Sequence, residues 1–243
     1  MAKNHEFTAG IFRKDDYVGY GELLLPFTWS EYQDALEKAR INDYNTPVTI
    51  EMTYTKREYL YPHTMGVNDG TFEDTRDLLE LNLLARRLDD MDESMQDCFE
   101  AQVALEKRNL QQGETIPLAK LINLTYQTQD CIYGGNSRTY AELGKFLFEN
   151  DMLPEKILDQ TIALTGSFDA EIPEEWLTLV GRQRFEDLGG VFTKAGYFEC
   201  PTKIPEVYKR GEMSYFDRSG APVVLEVGNP YTKKNSDNFV TLG

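Results

Sequence analysis

The chain has 243 residues, 41% hydrophobic, 12% aromatic and 27% charged, which is the balance of a folded protein with a sizeable core. Its 41 acids outnumber 25 bases, for a net charge of −16 and a pI near 4.6. Such a surface repels nucleic-acid phosphate and attracts basic surfaces, the clefts of DNA-binding proteins among them.

From residue 6 to 66 the pattern is that of a small α+β unit. Phe7–Phe12 and Val18–Leu25 alternate as strands, joined by a polar turn over Arg13–Asp16. Thr28-Trp29-Ser30-Glu31 is a capping box, opening a helix to about Arg40 with Tyr32, Leu36 and Ala39 facing inward. The β-branched run Val48–Tyr54 is a strand, and Glu58–Tyr61 is a candidate for another. The glycine-bearing segment Thr64–Gly70 is the first domain boundary.

Residues 71 to 165 read as helical. Leu78, Leu81, Ala85 and Leu88 form one stripe, and Leu79 with Leu83 lies well round from it. A helix apolar on two sides is sandwiched, either between layers of its own domain or between a core and a partner subunit. Leu79 and Leu83 are therefore the candidate dimer contacts. The next helix carries Met95, Cys98, Phe99, Gln102 and Val103 on one face, with Asp97, Glu100 and Lys107 on the other. Pro117 opens a helix over Leu118–Leu124, and Gly134-Gly135-Asn136 is a turn. A second capping box, Thr139-Tyr140-Ala141-Glu142, starts a helix with Leu143, Phe146 and Leu147 inward. Pro154 begins a further short helix that Gly166 stops.

Beyond Ser167 the chain is mixed again. Pro173 begins a helix with Trp176, Leu179 and Val180, and Val191–Thr193 and Tyr197–Glu199 form a hairpin closed at Gly196. A last hairpin is expected at Tyr215-Phe216 and Val223–Val227, before a polar tail. The predicted fold class is α+β, a chain of small domains. These are an N-terminal α+β domain (1–66), a helical acidic domain (67–165) and a C-terminal α+β domain (166–243).

The charge is uneven along this frame. Asp69–Glu114 holds 13 acids and 5 bases, and Glu142–Asp187 holds 11 and 4, so nearly all of the excess lies in two largely helical windows. Helix side chains three or four apart are ~5–6 Å from one another, so a helix face presents fixed charges at a pitch comparable with a nucleic-acid backbone. Solubility alone does not require that localisation.

Motifs for catalysis are lacking. The two histidines, His5 and His63, are isolated, and no nucleophile elbow, phosphate loop or dinucleotide fingerprint occurs. Asp89-Asp90-Met91-Asp92-Glu93 lacks the alternating ligands and central glycine of a calcium loop and reads as a solvated inter-helix turn. Glu174 and Glu175 follow Pro173, where acids favour the helix dipole. Cys98, Cys131 and Cys200 are odd in number and widely spaced, so they read as buried thiols in a reducing cytoplasm. No catalytic residue, metal or cofactor is expected. The opening MAKNHEFTAG has no apolar signal segment and no run reaches the ~20 apolar residues of a membrane span, so a cytoplasmic protein without membrane contact is expected.

Several short motifs are similar to those of one family. Glu171-Ile172-Pro173-Glu174-Glu175-Trp176 through Gly181-Arg182, followed by Gly189-Gly190-Val191-Phe192-Thr193 and Gly196-Tyr197-Phe198-Glu199, resembles the end of ArdA-type antirestriction proteins. Leu143–Asn150 resembles the helix before it, and Leu78–Leu88 with Asn82 resembles that family's leucine- and asparagine-bearing helix. The resemblance implies an elongated, dimeric DNA mimic built of three small domains and carried by conjugative elements or phages. Its partner would be the methyltransferase core of a type I restriction-modification enzyme, whose DNA-binding groove it occupies without touching nucleic acid itself. The acidic surface so implied comprises Asp74, Asp77, Glu80, Asp89, Asp90, Asp92, Glu93, Asp97 and Glu100 in the first window. In the second it comprises Glu171, Glu174, Glu175, Glu186 and Asp187. The chain departs from the family in being longer and in diluting its acids with more lysine and arginine. The alternative is a non-enzymatic adaptor, or an inhibitor of another DNA-binding protein encoded on a mobile element.

Overall fold

The computed structural model describes residues 7–14, 16–42, 46–55, 75–111, 114, 116–128, 131–166, 171–200 and 206–208. The expected strand at Glu58–Tyr61, the boundary at Thr64–Gly70, the last hairpin, both histidines and Asp74 lie outside these residues. The fold is α+β, with helices and two small antiparallel sheets. The contacts divide the chain into two compact units. One gathers described parts of Met1–Asp92, Asn109–Tyr126 and Ile204–Gly243, the other Glu93–Arg108 and Gln127–Lys203.

In the first unit, β1 (Phe7–Arg13) pairs with β2 (Asp16–Leu25) on one side and β3 (Val48–Thr55) on the other, giving the order β2-β1-β3. Alternation puts Phe7, Ala9, Ile11, Leu23, Leu25, Val48 and Ile50 into the core and leaves Val18, Tyr20 and Leu24 exposed. The strands run into the expected turn, with Arg13 opposite Asp16. α1 (Trp29–Lys38) packs on β2 and starts with the capping box as expected. The Thr28 hydroxyl accepts from Glu31 N–H at 3.4 Å, and Glu31 accepts in return from Thr28 N–H at 2.6 Å. Tyr32, Ala35, Leu36 and Ala39 are its buried face.

α2 (Thr75–Asp89) is the centre of this unit. Every side chain from Asp77 to Ala85 is buried, so both of its apolar sides are covered by the chain itself, by β2 and by α4 (Leu118–Leu124) among others. Leu79 and Leu83, the candidate dimer contacts, are each 3% exposed and belong to the core of this unit. Of the two readings open to a helix apolar on two sides, the sandwich within one chain is the one realised.

Burying a helix all round forces its polar side chains to find partners inside. Asn82 accepts from Phe27 N–H at 2.6 Å and donates to Phe27 C=O at 3.1 Å, joining α2 to the segment just past the cis Leu25–Pro26 peptide. Glu80, 1% exposed, accepts from the Tyr208 hydroxyl at 2.5 Å. Asn123 on α4 accepts from Val207 and Tyr208 N–H at 2.8 and 2.7 Å and donates to Tyr208 C=O at 2.8 Å. Arg87 binds Thr125 through Nε and Nη2 and lies 4.2 Å over the Tyr126 ring.

In the second unit, α5 (Tyr140–Glu149) and α7 (Glu174–Leu188) pack face to face, with α6 (Glu155–Thr165) beside them and α3 (Glu93–Arg108) against β5 (Val191–Phe192). The expected hairpin of β5 and β6 (Tyr197–Glu199) gains a third strand, β4 (Ile132–Tyr133), in the order β4-β6-β5. Leu143, Leu147, Val180 and Tyr197 form the core, with Trp176, Phe185 and Phe192 packed on it. Gly144 and Gly181 are where α5 and α7 touch. A Cβ at Gly144 would fall 2.0 Å from Leu177 O, and one at Gly181 would fall 1.9 Å from Tyr140 O. These glycines, both inside the motifs quoted above, are there because two backbones meet.

The cysteines are not three separate thiols. Cys98 on α3 forms a disulfide with Cys131, and Cys131 Sγ lies 3.3 Å from Cys200 Sγ. The separation of 69 residues between Cys131 and Cys200 closes because β4 and β6 are antiparallel, with Ile132 opposite Glu199.

Replacing Asn82 by Ala strands Phe27 N–H and C=O in the core, at about 1–3 kcal/mol for each group left unpaired. The expected outcome is a lower midpoint of urea unfolding at unchanged slope, whereas a surface Asn42→Ala leaves the midpoint in place.

Candidate acidic interaction surface

The acidic residues expected to form a binding surface divide into two kinds. Asp77 and Glu80 are buried and are removed from the surface; Glu80 is held by Tyr208. Their charge gave the wrong expectation because α2 is enclosed on all sides, and only tertiary packing reveals that. Asp97 and Glu100 on α3 are half-buried. Asp89, Asp90, Asp92 and Glu93 are exposed in the turn between α2 and α3, as are Glu171, Glu174, Glu175, Glu186 and Asp187 on and before α7.

That turn is built by hydrogen bonds within α2's last turn, Asp90 N–H to Arg86 C=O at 3.0 Å and Met91 N–H to Leu88 C=O at 3.4 Å, with Met91 buried beneath it. An apolar anchor in the middle leaves the flanking carboxylates nowhere to go but outward. Among the described residues no group of three or more His, Cys, Asp or Glu is arranged to hold a metal ion.

α7 carries its acids at its two ends. At 1.5 Å per residue, the pair Glu174-Glu175 and the pair Glu186-Asp187 stand roughly 18 Å apart along the axis. The first pair is placed where the positive end of the helix dipole welcomes it. The second pair is in the last turn, which has no base at all and where the dipole already presents partial negative charge. The helix ends at Gly189 in the left-handed conformation, φ 65°. Between the ends Leu179 is exposed, so it is not part of the inward face; that face is Trp176, Val180, Gly181, Arg184 and Phe185.

The arginines of this unit are used differently. Arg184 makes a bidentate pair with Glu199 at 2.6 and 2.9 Å, and the Glu199 hydrogen bond raises its pKa further. Arg108 donates to the carbonyls of Gly189 and Gly190 at 3.2 and 3.1 Å, capping the end of α7, and Arg138 donates to Lys194 C=O at 2.8 Å. Arg182 lies 5.4 Å over the Tyr140 ring. All four arginines of the unit are thus fixed against the protein. Glu142 is the acid treated the same way: N–H bonds from Arg138 and Thr139 hold it below the usual carboxylate range. Burial, then the neighbouring Glu199 carboxylate, holds the Tyr197 phenol above its ordinary value.

Sequence reasoning had no access to Arg184, Glu199 and Tyr208, which owe their roles to partners 15 to 128 residues away. Gly181→Ala drives a methyl into Tyr140 C=O, and overpacking of this kind costs about 1–3 kcal/mol. Its Tm is expected to fall while Gly166→Ala, which meets nothing within 4 Å but has φ 78°, loses only the smaller strain of its left-handed backbone. Scanned against protein-family models, curated proteins and solved structures, the chain matches none of them.

Proposed function

We propose that this chain is a non-enzymatic antirestriction protein, an acidic mimic of duplex DNA that occupies the DNA-binding groove of a type I restriction-modification enzyme. The observation that carries this reading is the placement of exposed carboxylates where helix stability gains nothing from them. Glu186 and Asp187 stand in the last turn of α7, which carries no base, so they work against the dipole of the helix that bears them, while Asp89 and Asp90 stand at the end of α2 behind Arg86 and Arg87. A charge kept at such a cost to the fold is explained by a partner that reads it. The unit's arginines are meanwhile fixed on carbonyls, rings and Glu199, so the exposed acids of α7 are not neutralised by them when they meet a basic groove.

The motif resemblance to ArdA-type proteins supplies the target, the methyltransferase core, and with it a homodimer in a cytoplasmic setting. Because Leu79 and Leu83 are enclosed, the dimer contact lies elsewhere on the chain. Among the described residues no helix is long and apolar enough to cross a membrane. A second reading, an adaptor that binds through apolar surface, is favoured by one observation: Val18, Tyr20 and Leu24 form an exposed row on β2.

Salt and charge separate the two. An exposed charge pair is worth about 0.2–1 kcal/mol, so Asp90→Asn or Glu175→Gln alone should weaken competition against labelled duplex for a type I methyltransferase by less than about tenfold. Neutralising Asp89, Asp90, Asp92 and Glu93 together with Glu174, Glu175, Glu186 and Asp187 should abolish competition and flatten its salt dependence, with circular dichroism unchanged. Glu186→Gln should weaken competition with no loss of Tm. Undiminished competition by the eightfold variant defeats the proposal, and a salt-independent interaction lost on Val18→Ser and Leu24→Ser favours the adaptor.

A further inference from the structure

We infer that Cys98, Cys131 and Cys200 are an exchange set in which the Cys131 sulfur is shared, its disulfide passing between Cys98 on α3 and Cys200 at the end of β6. The geometry is that of a thiol held against a disulfide. Cys98 and Cys131 are bonded, and Cys200 Sγ, the free thiol, sits 3.3 Å from Cys131 Sγ. The positions are independent of one another in origin. Cys98 comes from a helix, while Cys131 and Cys200 flank the antiparallel pairing of Ile132 with Glu199 and Tyr133 with Phe198.

The step needs no oxidant. The Cys200 thiol gives its proton to solvent, and its sulfur bonds to Cys131 Sγ. The Cys98–Cys131 bond breaks, and Cys98 leaves as a thiolate that takes a proton from solvent. One disulfide and one thiol are present before and after. A glutathione-type disulfide is needed only to form the first bond in the fully reduced chain. The buried Gln102 amide stands beside the sulfurs: its Nε2 lies 3.7 Å from Cys98 Sγ and 3.5 Å from Cys131 Sγ and is aimed there by a 3.0 Å bond to Gln127 C=O. A donor in that place steadies the negative sulfur that leaves. Burial pushes the Cys200 thiol up to about 12, so attacking thiolate is scarce at neutral pH and the exchange is slow.

What changes is the tether of α3. With Cys98 joined to Cys131 the helix is covalently tied to the start of β4; with Cys131 joined to Cys200 the tie lies between β4 and β6, and α3 is held by packing and by hydrogen bonds, those of Gln102 and Arg108 among them. α3 begins at Glu93, directly after the exposed acidic turn, so the exchange alters the anchorage of the helix that this turn leads into. The inference stands whether or not the acidic surface binds a restriction enzyme.

The test is disulfide mapping of the full chain. The protein is equilibrated with reduced and oxidised glutathione at mildly alkaline pH, trapped with an alkylating reagent in acid, digested and read by mass spectrometry. Both linked peptides, 98–131 and 131–200, are expected from the wild-type chain. Cys98→Ser should carry only 131–200 and Cys200→Ser only 98–131, while Cys131→Ser should hold at least about tenfold less intramolecular linkage. A wild-type digest holding one linkage or none overturns the inference, as does undiminished linkage in Cys131→Ser. The deciding digest is that of the wild-type chain, so a variant that fails to fold does not remove the test.

Discussion

The two-way amide pairing of Asn82 with Phe27 is the constraint on which the first unit depends. A helix enclosed on all sides has no water to turn to, so each polar group on it must meet a partner of matching geometry. Asn82 offers one acceptor and one donor to the one N–H and one C=O of Phe27, as a neighbouring strand would, and so specifies which piece of chain lies there. Asn123 does the same for Val207 and Tyr208, and Tyr208 in turn satisfies Glu80. Each bond adds only about 0.5–1.5 kcal/mol net, but each would cost more if left unmade. Their contribution is therefore to register as much as to stability: alternative packings of a leucine-rich helix leave these groups unpaired.

The second unit solves a different problem. Gly144 and Gly181 let α5 and α7 approach until backbone meets backbone, which sets the line of α7 and hence the places of its terminal acids. Phe185, Phe192, Tyr140 and Tyr197 stack around the same region, with Phe185 and Phe192 parallel at 5.3 Å and the Tyr140 ring edge-on to both. Arg108 binds the carbonyls just past the end of α7, which is where Glu186 and Asp187 add charge of the unfavourable sign. The rigid part of the unit and its exposed charge are thus one arrangement: packing fixes the helix, and the helix ends carry the carboxylates.

Local chemistry was legible where a few neighbouring residues settle the outcome. Both capping boxes form with their reciprocal bonds, because a threonine and a glutamate three apart need only each other. Gly166 and Gly189 end their helices with positive φ. The hairpin around Gly196 forms, with Thr193 N–H donating to Gly196 C=O at 2.8 Å. β4 escaped notice: two residues, both exposed, carry no alternation to read, and the strand exists only because β6 pairs with it.

The sequence by itself determined the α+β class, the order of most elements, the two-sided character of α2 and the uneven distribution of charge, since each follows from spacing within a turn or two of chain. Tertiary structure alone decided which acids reach solvent. Asp77 and Glu80 share α2 with Asp89, yet they are enclosed while Asp89 and the neighbouring Asp90 are exposed. It also decided that Leu79 and Leu83 face the chain's own core, that Arg184 belongs to Glu199, and that three scattered cysteines meet. The physical reason is common to all of these. Burial and pairing are properties of what packs against a residue, and here those partners lie from 15 to 128 positions away along the chain.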